Sequence, residues 1–259
     1  MIGPMHDTTA LAESRRHAVR SIGWQQPLRW LALGWRDLSR CPVPGLVHGL
    51  ALALFGAALF VLARERFWLL AGAFSGFLLV APVLATGLYA VSRALERGEH
   101  PTLGTALQCW IPRDHRMLVF GVLLSAAGTG WVITSASLIT GWAGTEVRTP
   151  ADFMRQVVLN HDSWLFEVWL LVGGVLAAPL FASSVVALPL LLDRRDGVLA
   201  AVLTSWRCVM VNPAPLALWA FLIMGLTALG MASLLLGLVV VVPWLAHASW
   251  HAYRELVET

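Results

Sequence analysis

The sequence predicts an all-α, polytopic membrane protein, and three observations support that class. Of its 259 residues, 58% are hydrophobic and 13% are charged, whereas a soluble domain usually carries about 25% charged residues. Its long apolar runs match the ~20 residues that a helix needs to cross the hydrocarbon core of a bilayer. Three of these runs follow short amphipathic segments that resemble one another. We therefore predict six transmembrane helices arranged as three hairpins, each preceded by a short amphipathic helix in the cytoplasmic interface.

The positions of the spans follow from the polar residues that interrupt the apolar runs. The spans are predicted at residues 43–63, 67–92, 117–141 and 164–192, with two more inside 215–253. That last run would be roughly 58 Å long as one helix, which is enough for two spans. Its turn is predicted near residues 227–233. Residues 1–26 are predicted to form a polar cytoplasmic segment, and residues 27–259 a single membrane domain.

The basic residues predict the orientation of the chain. All 18 are arginines, and 14 of them lie on the side that holds both termini. Because basic residues are enriched in cytoplasmic loops, both ends are predicted to be cytoplasmic in a bacterial inner membrane. The arginines are scattered and form no basic run, so nucleic acid is not an expected partner. The expected partners are the bilayer and another membrane protein or a second copy of this chain.

An internal repeat supports the three-hairpin arrangement. Each of the three amphipathic segments has apolar residues at positions i, i+3, i+4 and i+7, which form one face of a helix, and each ends in tryptophan. These tryptophans are Trp35, Trp110 and Trp206. Tryptophan favours the headgroup level, so the segments are predicted to lie in the membrane interface. The pseudo-repeats cover residues 27–97, 102–195 and 198–256.

Prolines recur at corresponding places in the repeats. The first and third repeats have a Pro-x-Pro pair at the same distance after the tryptophan, where it is predicted to start a span. These prolines are Pro42 and Pro44, and Pro213 and Pro215. A further proline is predicted inside each even-numbered span, at Pro82, Pro179 and Pro243. Such interrupted spans either shape helix packing, which is the favoured interpretation, or mark a transport site.

Three histidines are the candidates for a metal or haem site. His247 and His251 are one helical turn apart on span six, and His48 lies toward the same membrane side on span one. Imidazoles that converge in this way are able to ligate a metal. The sequence places no carboxylate beside them, so hydrogen bonding between helices is the favoured alternative. No cofactor or metal is predicted.

Glu167 is the candidate for an intramembrane polar site. It lies about one turn into span four, near the predicted outer interface, where a carboxylate still reaches water. No catalytic motif accompanies it, and the sequence predicts that the chain is not an enzyme.

Several of these residues resemble a known family. Residues 33–37, which precede Pro42, and residues 82–89, which lead to Arg93, resemble the predicted integral membrane proteins of proteobacteria that are grouped as a domain of unknown function. The resemblance covers roughly residues 20–255. It implies six spans and no established activity. Some members carry names that link them to cytochrome c oxidase, which implies an association with a respiratory complex.

Two functions are compatible with these observations. The first is a non-catalytic accessory, assembly or scaffold component that acts through other membrane proteins, because few polar groups lie in the spans. The alternative is a transporter or channel for a small or lipid-like molecule, which the repeats and the proline-bearing spans favour.

Overall fold

The computed structural model describes residues 5–63, 85–110, 115–144 and 146–258, and these residues are almost entirely helical. The helices in the first half of the chain are α1 (Met5–Arg15), α2 (Gln26–Arg40), α3 (Pro42–Ala63), α4 (Thr86–Glu96), α5 (Leu103–Leu107) and α6 (His115–Trp142). Those in the second half are α7 (Pro150–Phe153), α8 (Leu165–Ser184), α9 (Ala187–Asp193), α10 (Val198–Val211), α11 (Pro213–Ala232) and α12 (Leu238–Leu256). A 3-10 turn follows α5, and a π-helical turn follows α7. The all-α prediction is confirmed.

Four helical segments of the described residues are long and apolar enough to cross a membrane. They are Pro42–Val61, His115–Trp142, Leu165–Asp193 and Pro213–Ala232. They coincide with the predicted first, third, fourth and fifth spans, because apolar length determines both. The predicted second span, including Pro82, falls largely on residues outside the described ranges. The complete set of six spans in three hairpins therefore stays a prediction.

The predicted sixth span corresponds to α12, which is more polar than the four spans. Its C-terminal half is mostly buried in protein: Ala248, Trp250, Ala252 and Tyr253 are each at most 1% exposed. The turn before α12 occupies residues 233–237, slightly later than predicted. Leu234 and Leu235 have the left-handed φ angles of 56° and 69° in this turn.

The prolines occupy the predicted positions where the structure describes them. Helix α3 begins at Pro42 and α11 at Pro213, and each has its second proline within the first turn. Proline is tolerated there because the first N–H groups of a helix have no partner inside the helix. Pro179 lies inside α8 and Pro243 inside α12.

By internal packing, the chain forms two compact units. The first unit comprises residues 1–53, 82–120 and 181–259. Helix α12 is its centre and packs on α2, α4, α9 and α11, while α1 packs on α10. The second unit comprises residues 54–81 and 121–180.

An aromatic cluster around Trp169 forms the core of the second unit. The Trp169 ring packs against Trp131, Phe153 and Phe166, and its indole N–H donates a 2.7 Å hydrogen bond to the hydroxyl of Ser135. The adjoining buried residues are Ile139, Val147, Val157 and Leu165. This packing orders the polar segment between α6 and α8 instead of leaving it solvated.

Helix α2 is amphipathic as predicted, but its two faces are used differently. Trp35, which ends the predicted apolar face, is 49% exposed and makes an edge-to-face contact with Trp244. An adjoining face is buried against α12 and contains Trp30, Gly34 and Asp37. Gly34 allows this close approach, since a Cβ atom there would lie 2.6 Å from the backbone nitrogen of Ala248. The buried face therefore carries a carboxylate into the protein interior.

Candidate functional site: a buried Asp–Ser–His cluster

Four polar side chains from three helices of the first unit meet in its interior. They are Asp37 on α2, Ser92 on α4, and His247 and His251 on α12. The Ser92 hydroxyl lies 2.9 Å from Oδ2 of Asp37, and Nε2 of His251 lies 2.7 Å from the same oxygen. Nδ1 of His247 lies 2.8 Å from the Ser92 hydroxyl. We call these four residues the polar cluster.

The chemistry of the groups determines the direction of each hydrogen bond. An ionised carboxylate only accepts hydrogen bonds, so both Ser92 and His251 donate to Asp37. Ser92 has a single hydroxyl proton, which leaves its oxygen to accept a hydrogen bond from Nδ1 of His247. The chain of donors therefore runs from His247 through Ser92 to Asp37, with His251 donating from the other side.

Three residues of the polar cluster are buried, and the fourth, His251, has 14% of its side chain exposed. Ser92 and His247 are 0% exposed, and Asp37 is 3% exposed. The Nε2 atom of His247 is buried and has no hydrogen-bond partner in the part of the chain that the structure describes. A fourth helix, α3, also packs near the polar cluster. Nε2 of His247 lies 3.7 Å from the place that a Cβ atom would occupy at Gly45.

His48, the third predicted histidine, is also buried in this unit. It lies on α3, three residues after Gly45, and is 3% exposed. Its Nδ1 atom lies 2.8 Å from the carbonyl oxygen of Pro44 in the preceding turn. The structure thus brings the three predicted histidines to the same region. Within the described ranges, however, no three His, Cys, Asp or Glu side chains are arranged as a metal-ligand set.

The residue types of the polar cluster are those of a serine hydrolase, but their arrangement is different. An activated serine gives its proton to an imidazole that acts as the base. Here the proton of Ser92 points to Asp37, and His247 is the donor to Ser92. Because the serine is also fully buried, it has no access to a substrate. The geometry suits a cross-link between helices better than nucleophilic chemistry.

Asp37 shows how the sequence-based interpretation needs correction. The sequence places no carboxylate beside the histidines, yet Asp37 is in direct contact with His251, 214 residues away. Ser92 is likewise 155 residues from His247. One feature of the sequence could have indicated the contact of Asp37: Trp30, Gly34 and Asp37 are spaced so that they lie on one face of a helix.

The protonation of Asp37 predicts a pH dependence of stability. Burial alone raises the pKa of Asp37, but the hydrogen bond and positive charge of His251, together with the Ser92 hydroxyl, outweigh it and hold the pKa below its ordinary value of 3.8. A lowered folded-state pKa gives stability that is present above pH 3.8 and lost as the pH falls through the folded-state value. We expect the melting temperature of the wild type to fall more steeply than that of Asp37→Asn below about pH 4. Melting curves for both proteins between pH 3 and pH 7 provide the measurement, and parallel curves would contradict the assignment.

The remaining predicted residues lie outside the polar cluster. Glu167 is exposed in the first turn of α8, where the positive end of the helix dipole favours a carboxylate. Trp206 is 39% exposed on α10, and its indole N–H donates to the Ser183 hydroxyl at 2.9 Å. Pro82 and the side chain of Trp110 lie outside the residues that the structure describes.

Two carboxylates at and just after the end of α9 make contacts with distant parts of the chain. The Asp193 carboxylate accepts a 2.9 Å hydrogen bond from the hydroxyl of Tyr253. Nε2 of His17, in the N-terminal segment, lies at a hydrogen-bonding distance of 2.9 Å from Oδ2 of Asp196. Arg116 donates a 2.6 Å hydrogen bond to the carbonyl oxygen of Asp196. These contacts connect residues 193–196 to the N-terminal region, α6 and α12.

The three cysteines are not suited to redox or nucleophilic chemistry. Burial raises the pKa of Cys41 and of Cys109, and it raises the pKa of Cys208 to about 12. A thiol reacts as its thiolate, so a raised pKa makes these side chains less reactive.

The apolar spans and the helical architecture define a multi-pass integral membrane protein. Residues 69–193 match the model of a family described as "Predicted integral membrane protein (DUF2189)", whose function is unknown. This match confirms the resemblance to a family of predicted integral membrane proteins, while the proteobacterial source stays a prediction. No curated protein and no solved structure matches the chain.

Proposed function

We propose that the protein is a non-catalytic membrane component, which acts as an accessory or scaffold through contacts with other membrane proteins. The observation that carries this proposal is the large free surface of its spans. In the most apolar 18 residues of His115–Trp142, only 17% of the residues are buried inside the protein. In the corresponding 18 residues of Pro213–Ala232, 22% are buried. These helices are available to contact either lipid or the helices of another protein.

The character of α6 supports a protein partner. Its exposed residues include Gly130, Ile133, Ser137 and Thr140, which follow one helical face. A Cβ atom at Gly130 would meet no atom within 4 Å. The hydroxyls of Ser137 and Thr140 bond to carbonyls of their own helix, at 2.8 Å each. Small residues of this kind allow two transmembrane helices to approach closely.

The polar cluster supports the non-catalytic part of the proposal. Its serine and aspartate have no open route to a substrate, and each of their hydrogen bonds is made within the unit. The resemblance to proteins named for cytochrome c oxidase makes a respiratory complex the first partner to examine. We infer that no cofactor is needed for this role.

Native co-purification tests the proposed function. A tagged chain, expressed at its natural level and extracted in mild detergent, is expected to elute with a discrete membrane protein or as an oligomer. A photoreactive amino acid at Ile133 should produce a defined protein adduct. The matched control is Leu171 on α8, a helix on which no partner contact is proposed, because the side chains of Ile133 and Leu171 are 62% and 67% exposed. A monomer without any protein adduct would overturn the proposal.

A transporter or channel is the second candidate, and the prolines favour it. Pro179 and Pro243 interrupt the hydrogen bonding of α8 and α12, as prolines do in many transport proteins. Substrate flux into proteoliposomes that contain the purified chain alone would favour this candidate over a scaffold.

A further inference from the structure

We propose that the first unit binds a phosphate-bearing anion in an arginine-lined pocket, a site separate from the polar cluster. The pocket has a volume of about 520 Å³ and is formed by the ends of three helices, α4, α9 and α12. Four arginines line it, together with two carboxylates. These residues are Arg93, Arg97, Arg194, Arg254, Glu96 and Asp193.

The two carboxylates already have protein partners. Glu96 accepts a 3.0 Å hydrogen bond from Nε of Arg254 and a 3.2 Å hydrogen bond from the indole N–H of Trp250. Asp193 accepts from Tyr253 and lies 3.7 Å from Nη1 of Arg93. The two carboxylates therefore contact three of the guanidinium groups, those of Arg93, Arg194 and Arg254, but two negative charges cannot neutralise four positive ones.

Arg97 and Arg194 are the two exposed arginines of the pocket, whereas Arg93 and Arg254 are partly buried. Among the residues that the structure describes, the Arg97 side chain makes no hydrogen bond or ion pair with another side chain. The side chain of Arg194 is 43% exposed, and its Nε atom lies 3.6 Å from the Asp193 carboxylate, which it shares with Arg93 at 3.7 Å. Both distances are too long for a good hydrogen bond, so Asp193 satisfies neither guanidinium fully. The C-terminal ends of the three helices supply negative partial charge that offsets part of the excess. The remaining N–H groups point to an additional anion.

The chemistry and the position both favour phosphate. A guanidinium presents paired N–H donors that match the oxygens of a phosphate, and several arginines are able to share its three or more oxygens. Asp193 is the last residue of the span Leu165–Asp193, so the pocket is expected at the level of the lipid headgroups. Basic pockets at the ends of transmembrane helices bind anionic lipids in this way. The recognised group is a phosphate ester, which a lipid or a free phosphate compound supplies.

Binding to the purified full-length protein in neutral detergent tests the site. The probes are phosphatidylglycerol, inorganic phosphate, and acetate at equal ionic strength as the anion control. We expect phosphatidylglycerol to bind and acetate not to bind. Binding of inorganic phosphate as well would identify a free phosphate as a second source, whereas its failure would assign the site to the lipid headgroup.

Arginine variants distinguish binding in this pocket from non-specific binding to positive charge on the surface. The double variant Arg97→Ala/Arg194→Ala should weaken phosphatidylglycerol binding about tenfold, because two charge-assisted contacts are lost. Arg36→Ala, an exposed arginine on α2 outside the pocket, should change it less than about twofold. All variants should keep the wild-type melting temperature without ligand, since the replaced side chains are solvent-exposed. The proposal is overturned if neither phosphate probe binds, or if the double variant binds as tightly as Arg36→Ala.

Discussion

Replacing Asp37 with alanine is expected to destabilise the protein by about 3 kcal/mol, the largest effect of any single change in the polar cluster. The carboxylate is 3% exposed and accepts hydrogen bonds from both Ser92 and His251. Its removal leaves these buried donors without an acceptor, and the loss of a partner from a buried charged pair typically costs 3–5 kcal/mol. Hydrogen bonds between membrane helices are usually weaker than this, so we take the lower end of that range.

The measurement is the melting temperature of the detergent-solubilised protein. A loss of about 3 kcal/mol should lower it by roughly 10 °C in a chain of this size. The matched control is Asp162→Ala, which removes an exposed carboxylate from the polar segment before α8 and should have little effect. Equal melting temperatures for the two variants would show that Asp37 does not stabilise the fold.

The second large effect is expected for Gly34→Leu, which should destabilise the first unit by about 3 kcal/mol through overpacking. At this position α2 and α12 approach so closely that a Cβ atom would lie 2.6 Å from the backbone nitrogen and 2.9 Å from the Cα atom of Ala248. Backbone atoms in a packed helix cannot move aside as a flexible side chain does. The helices must therefore separate, which also stretches the hydrogen bond between Asp37 and His251.

The control for this substitution is Gly225→Leu on α11, where a Cβ atom would meet nothing within 4 Å. Leucine favours a helix more than glycine does, so this control should be neutral or slightly stabilising. Thermal unfolding of the two variants, measured side by side, tests the contact. If Gly34→Leu had the same melting temperature as Gly225→Leu, this would contradict the close packing of α2 on α12.

The spans and helix starts were predictable because they depend on local sequence. The apolar length of residues 43–63 and 117–141 determines α3 and α6 almost to the residue. Pro42 and Pro213 determine where α3 and α11 begin, since proline lacks the N–H that later helical positions require. Both the lengths of the spans and the starts of these helices can be predicted without knowing which helices pack together.

The polar cluster was not predictable in the same way, because it depends on long-range packing. The one-turn spacing of His247 and His251 is visible in the sequence, but the helix that faces them is not. The predicted apolar face of α2 ends in Trp35, whereas the face that packs on α12 carries Trp30 and Asp37. Similarly, the sequence does not show that the hydroxyl of Tyr253 reaches Asp193, 60 residues away.

The polar cluster is expected to stabilise the packing of α2, α4 and α12, and a double-mutant cycle tests this most directly. The melting temperatures and unfolding free energies of Asp37→Asn, His251→Gln and the combined variant are compared with those of the wild type. We predict a coupling energy of about 2 kcal/mol, since the two side chains form a buried, charge-assisted hydrogen bond of 2.7 Å. Two single substitutions that are each nearly neutral, and that add within about 0.5 kcal/mol, would contradict this expectation and leave the cluster free for chemistry.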